Sequence, residues 1–270
     1  MSRPPLALTH LAAAGLLALC AWGGVGQAHA NPLLGLSDPT RPPPGLVKSD
    51  RAGAAGAPGV GAPEAASAAS AQTGPKLSYN VGVASDYAFR GVSQTDQKAQ
   101  VFGGVDLAAG KVYAGTWASN VDFGDKTDAE IDLYAGYKPT LGAASLDFGV
   151  IYYGYVGAPK GADYGNVEFK AAGSIPAGTG ALGAAVFYSP DSFGAADEAT
   201  YYEVNGSYPV AEKWSVSGAL GRQTYKGSGD YTTWNVGAAY ALNSTLTLDL
   251  RYHDTDIGDK LEVALTERAH

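Results

Sequence analysis

From Leu77 onward the chain alternates apolar and polar residues in short runs, broken by Gly, Pro, Asp and Asn every 12 to 20 residues. The stretch STLTLDLRYHD, Ser244 to Asp254, shows the pattern plainly: Leu246, Leu248, Leu250 and Tyr252 alternate with Thr245, Thr247, Asp249 and Arg251. In an extended chain such residues leave on opposite faces, so each run has one greasy and one polar side. Twelve runs qualify as strands: 78–90, 99–109, 111–119, 128–137, 145–155, 165–174, 181–189, 200–209, 212–222, 231–241, 244–253 and 259–266. Most approach the roughly 9 to 11 residues of a tilted transmembrane strand. No helical periodicity competes. The pattern predicts an all-β, up-and-down antiparallel transmembrane β-barrel of about twelve strands, within a range of about ten to fourteen.

The connections also alternate. AAG, VAE and LN are short and weakly charged, whereas GVSQTDQK, NVDFGDKTD, GAPKGADYG, PDSFGAADEA, TYKGSGDY and DTDIGD are longer and mostly acidic. Short turns on one side and long loops on the other suit a barrel between periplasm and exterior. PTLGAA and IPAGTG are longer than that rule prefers.

The faces then follow. The outward set includes Val81, Val83, Tyr87, Phe89, Ile131, Leu133, Tyr137, Phe148, Val150, Tyr152, Val167 and Phe169, with Trp214, Val216, Trp234, Val236 and Tyr240 later. Inward are Asp86, Arg90, Asp106, Glu130, Asp132, Asp147, Glu168, Lys170, Glu203, Asn205, Asp249 and Arg251, the candidate lumen-lining set. An Arg or Lys facing hydrocarbon at mid-bilayer costs about 2 to 4 kcal/mol. Eleven charges on one face therefore require water on that face and lipid on the other. The register of KVYAGTWAS stays open: Tyr113 and Trp117 share one face, Val112, Ala114 and Ala118 the other.

Composition refines the picture at the N-terminus. Residues 1–30 carry a basic start at Arg3, an apolar stretch from Leu11 to Trp22 and Ala28-His29-Ala30, the plan of a secretory signal peptide. Its apolar part is shorter than the roughly 20 residues of a helical span. Residues 31–76 are rich in Pro, Gly, Ala and Ser without periodicity and read as disordered, leaving 77–270 for the barrel. Cys20 is the only cysteine and departs with the leader, so the mature chain has no disulfide. Loss of Arg3 leaves 17 Lys and Arg against 26 Asp and Glu, a net charge of −9, which argues against nucleic acid as a partner.

The same residues bear on catalysis. Beyond the leader the histidines are His253 and His270, and no Gly-x-Ser-x-Gly elbow occurs. His253, beside Asp254 and Asp256, is the candidate base of a lipid-modifying barrel enzyme. Rim pairs Asp254/Asp256 and Asp122/Asp125 are candidates for barrel-type protease carboxylates or for loose Mg²⁺ or Ca²⁺ contacts shared with lipopolysaccharide. The expectation is no enzyme, no cofactor and no dedicated metal site.

Four stretches resemble the TorF-type porin family of Gram-negative outer-membrane proteins: VASDYAFRGVSQTD (Val83–Asp96), YAGTWASNVDF (Tyr113–Phe123), EIDLYAGY (Glu130–Tyr137) and DFGVIYYGY (Asp147–Tyr155). The likeness runs from about Leu77 to Tyr252, and Asp86, Arg90, Trp117, Asn120 and Asp122 match its most characteristic positions. The resemblance implies an outer-membrane barrel acting as a porin, without naming a solute. One departure is the ending KLEVALTERAH, which lacks the terminal aromatic residue that the barrel-assembly machinery reads.

Together these readings predict an outer-membrane porin. Its partly filled acidic lumen passes small polar, cationic solutes, with outer-membrane lipid, lipopolysaccharide and the assembly machinery as partners. A non-conducting structural or adhesive barrel and the His253 enzyme are the alternatives.

Overall fold

The computed structural model describes residues 74–194, 197–227 and 229–269, with the backbone alone described for 258–263 and 269. The segment read as a signal peptide, residues 1–30, and residues 31–73 lie outside the described residues, as do the side chains of Leu261 and Val263. The first half of the chain forms β1 (Lys76–Ala84), β2 (Ala88–Phe89), β3 (Val92–Ser93), β4 (Gln100–Ala109), β5 (Val112–Asn120), β6 (Ala129–Tyr137) and β7 (Thr140–Leu141). There follow β8 (Ala144–Val156), β9 (Asn166–Ala177), β10 (Gly180–Ser189), β11 (Ala199–Ala211) and β12 (Trp214–Tyr225). The last are β13 (Tyr231–Ala241), β14 (Leu246–Thr255) and β15 (Gly258–Ala269).

Twelve of these strands are the staves of a closed antiparallel barrel; β2, β3 and β7 are not staves. Each stave pairs with its neighbours in sequence, β6 joins β8, and β15 closes on β1 from Tyr79↔Ala269 to Ala84↔Ala264. Closure removes every sheet edge, which is the condition for a sheet to sit in hydrocarbon.

The connections keep the expected asymmetry, with one exception. At the end where β1 starts and β15 finishes, turns span 110–111, 138–143, 178–179, 212–213 and 242–245. PTLGAA shortens itself by folding β7 back on β8 around Gly142, whose φ of 59° suits a residue without Cβ. IPAGTG is mostly strand, leaving a two-residue turn at Gly178-Thr179. At the opposite end, loops span 85–99, 121–128, 157–165, 190–198 and 226–230, but DTDIGD folds as a tight hairpin around Asp256-Ile257.

The exterior is apolar. Val81, Val83, Ile131, Leu133, Phe148, Val150, Phe169, Val236 and Leu250 are all exposed, and their burial would be costly to leave undone in water. Paired rings mark the band: Trp214 lies against Tyr240 at a centroid distance of 4.7 Å and Trp234 against Tyr252 at 5.3 Å. Such aromatic girdles gather at membrane–water boundaries. A closed barrel with such an exterior is built to stand in hydrocarbon. The register of KVYAGTWAS resolves with Tyr113 and Trp117 inward and Val112, Ala114 and Ala118 outward.

One strand assignment needs correction. The run 78–90 ends as a stave at Ala84, and Tyr87 and Phe89 do not face lipid: Tyr87 is buried and Phe89 packs against the interior cluster. Alternation continues through SDYAFR because β2 is itself extended, so period alone cannot tell a stave from a hairpin folded inward.

Candidate functional site

Residues 85–99 turn into the barrel as the hairpin β2–β3, with Ala88 facing Ser93 and Phe89 facing Val92. Its tip is Arg90-Gly91, with φ values of 50° and 82°. Two consecutive positive φ angles make the tight turn that matches strand twist, and Gly at the second position is what permits it. A Cβ on Gly91 would lie 2.5 Å from Thr233 Oγ1 and Thr255 Cγ2, so the tip touches β13 and β14 with no room for a side chain.

The neck is fixed by Asp86. Its Oδ1 accepts from Ser93 Oγ (2.5 Å) and Thr95 Oγ1 (2.8 Å), while Tyr87 N–H donates to Thr95 Oγ1 at 3.1 Å. Outside the neck, Asn120 bridges Val101 N–H and the Ala99 carbonyl, and Lys98 Nζ reaches Asp122 at 2.6 Å. That pair lowers the Asp122 pKa through the lysine's hydrogen bond and raises that of Lys98. Tyr87 rests edge-on against Trp117 (5.4 Å) and donates to Glu130 at 2.8 Å. Asp86, Arg90, Trp117, Asn120 and Asp122, the five positions that carry the family resemblance, therefore all belong to the hairpin or its root.

Arg90 spans the bore to the opposite wall. Its guanidinium forms a fork with Glu168 of β9, both bonds 2.8 Å, and donates to Gln223 of β12 at 3.0 Å. The group lies 4.3 Å from the ring centroid of Tyr201, 5.1 Å from that of Phe187 and 4.7 Å from that of Phe89. Tyr153 donates to the second oxygen of Glu168 at 3.0 Å. A planar cation bonded in a fork to two oxygens and close to three rings is held by charge-assisted bonds and cation–π contacts together.

The other members of the candidate set are also buried on the enclosed face. Lys170 meets Asp147 at 2.7 Å, and Asp147 also accepts from Tyr113 at 2.6 Å. Asp106 accepts from Tyr134, and Glu203 from Tyr201 and Asn205. Arg251 chelates Asp249 at 3.2 Å, reaches Asn235 at 2.7 Å and Ser217 at 2.8 Å. Asp132 is buried beside the Trp117 stave. The pairings differ from neighbours along a strand: Asp86 does not pair with Arg90, nor Glu168 with Lys170, because the inward fold carries Arg90 to a stave far away in sequence.

Sequence reasoning missed the partners of these groups, Gln223, Tyr153, Tyr201 and Asn235, which read as ordinary strand residues. The available signal was Arg90-Gly91 between two β-rich triplets, a two-residue hairpin inside a supposed stave. It also missed a cluster at the mouth: Phe193 stacks on Tyr164 at 4.4 Å, with Phe123 and Tyr155 packed edge-on around them. Tyr164 donates to Asp125 at 2.8 Å, tying loop 157–165 to loop 121–128.

The enzyme alternative needs an accessible base. His253 is instead 1 % exposed on the inward face of β14, where no bilayer lipid approaches. Asp122 and Asp125 are engaged by Lys98, Thr127 and Tyr164. Among the described residues, no three His, Cys, Asp or Glu side chains are placed to hold a metal ion.

Residues 67–268 match the family described as "Bacterial protein of unknown function (Gcw_chp)". The chain belongs to that family. No curated protein matches this Gcw_chp chain. Among solved structures, it is similar to the KdgM porin, with 10% identity, a TM-score of 0.52, and coverage of 72% of this chain and 99% of that one. A second structure, the KdgM porin in complex with disordered oligogalacturonate, gives 10% identity, a TM-score of 0.51 and the same coverage. At that identity the likeness concerns the fold, a twelve-stranded porin-type barrel.

Proposed function

We propose that this Gcw_chp barrel is a porin of the TorF type, passing small polar solutes and favouring cations. The observation that carries the reading is the inversion of solvents: among the described residues, an apolar exterior encloses eight buried carboxylates against three buried Lys and Arg side chains, with Arg268 only partly buried. A barrel whose only task is structural has no use for an interior that costs so much to desolvate. On this reading the twelve inward residues line the path, and residues 1–30 direct export, with 31–76 as a disordered linker. Lipid, lipopolysaccharide and the assembly machinery are its partners at the membrane.

The excess of carboxylates raises the local concentration of cations and lowers that of anions. It is the wrong sign for a polyanion such as the oligogalacturonate named with the KdgM porin, so the fold is shared without the cargo. The hairpin makes the path narrow and favours small solutes.

Planar-bilayer recording in a salt gradient tests the proposal. Discrete conductance steps and a reversal potential of cationic sign are expected, and D106N/E203Q should shift that potential toward zero. Folded protein that leaves the bilayer silent, before and after excision of residues 86–98, removes the porin reading in favour of a non-conducting barrel.

A further inference from the structure

The wall around Arg90 is a complete receptor for a guanidinium group, and the hairpin merely supplies the occupant. Glu168, Gln223, Tyr153, Phe187 and Tyr201 all belong to staves; Phe89 alone travels with the hairpin. The fork to Glu168, the third bond to Gln223 and the rings of Tyr201 and Phe187 beside the group distinguish a planar guanidinium from a spherical ammonium. The hairpin's own ladder is only two residue pairs long, Ala88↔Ser93 and Phe89↔Val92, so beyond the neck at Asp86 the tip depends on these side-chain contacts. A ligand that makes the same contacts competes directly with the tip.

We infer that Glu168, Gln223, Tyr201 and Phe187 form a solute subsite for guanidinium compounds, which Arg90 occupies in the resting barrel and which such solutes enter by exchange. The inference rests on the porin reading for its place in a permeation path, but the subsite itself does not require conduction. Exchange moves the positive charge of Arg90 out of the fork and puts the solute's charge in; no bond is made or broken covalently.

The test uses the full chain, with methylguanidinium as probe and methylammonium as the equally charged control. R90A vacates the subsite while leaving its wall intact. In planar bilayers, methylguanidinium should reduce the R90A potassium current at concentrations about tenfold or more below those of methylammonium, since a charge-assisted fork is worth at least that factor. E168Q in the R90A background should abolish the difference. In the wild type the effect should be weaker, because Arg90 competes.

Equal block by the two cations, or block that survives E168Q, overturns the subsite. If R90A does not fold, R90Q removes the competing charge while filling much of the space and is read in the same way. Should every variant be silent, thermal unfolding of detergent-solubilised R90A replaces the current. A rise in Tm with methylguanidinium beyond that with methylammonium, lost in R90A/E168Q, keeps the subsite while the porin reading falls. No difference in Tm overturns the subsite as well.

Discussion

The hydroxyl of Tyr113 on β5 lies against Gly136 on the neighbouring stave β6, and from there donates to Asp147. A Cβ at Gly136 would collide with the phenol, and Gly149 leaves room for the same oxygen. The same device recurs where Tyr134 covers Gly115, Tyr201 covers Gly221 and Phe102 covers Gly82. Inward rings lie flat along the wall only because glycine on the next stave makes room. Gly136→Ala should therefore cost about 1–3 kcal/mol by overpacking. Urea unfolding of the refolded barrel in lipid vesicles would register this as a lower midpoint; an unchanged midpoint would mean the ring swings aside freely.

Asp86 anchors both returning hydroxyls of the hairpin neck, so Asp86→Ala should loosen the whole inward fold while the staves persist. Arg90 itself supplies the readout. Trypsin should leave the Arg90-Gly91 bond intact in the wild type, where the side chain is buried, and cut it in D86A. Mass spectrometry of limited digests decides; equal protection in both would show that the tip contacts alone hold the hairpin.

Lys170 sits beside Asp147 with both groups nearly excluded from solvent. Replacing the lysine by Met leaves a buried carboxylate with only Tyr113 as donor, a loss of about 3–5 kcal/mol for breaking a buried pair from one side. Removing the acid too, in D147N/K170M, should recover much of that loss. A double-mutant cycle on the unfolding midpoint measures the coupling, and additive losses would contradict it.

The Lys98–Asp122 pair at the hairpin root has a defined pH window. The Asp122 pKa is lowered in the folded protein, so its contribution is present above the ordinary aspartate value of about 3.9 and lost as pH falls through the lowered native value. The raised pKa of Lys98 works from the other side, its contribution fading only as pH rises through the native lysine value. Amide exchange in residues 94–99, corrected for its intrinsic pH dependence, should accelerate at acid pH in the wild type. D122N should show no such step.

Much of this architecture was legible in the chain. Leu246, Leu248 and Leu250 against Asp249 and Arg251 fix which face meets which solvent, because alternation at period two is a direct consequence of extended backbone and charge cannot face hydrocarbon. Closure, the number of staves and the side carrying the long loops follow from the same rhythm repeated. What only the tertiary structure decided is where the alternating stretch Ser85–Arg90 goes. Lipid-facing stave and inward hairpin have the same period, and the choice lies with contacts far away in sequence: Tyr87 with Glu130, Gly91 with Thr233 and Thr255, and above all Arg90 with Glu168. Local pattern sets the faces of a strand, but an ion pair across the bore exists only once the barrel has closed around it.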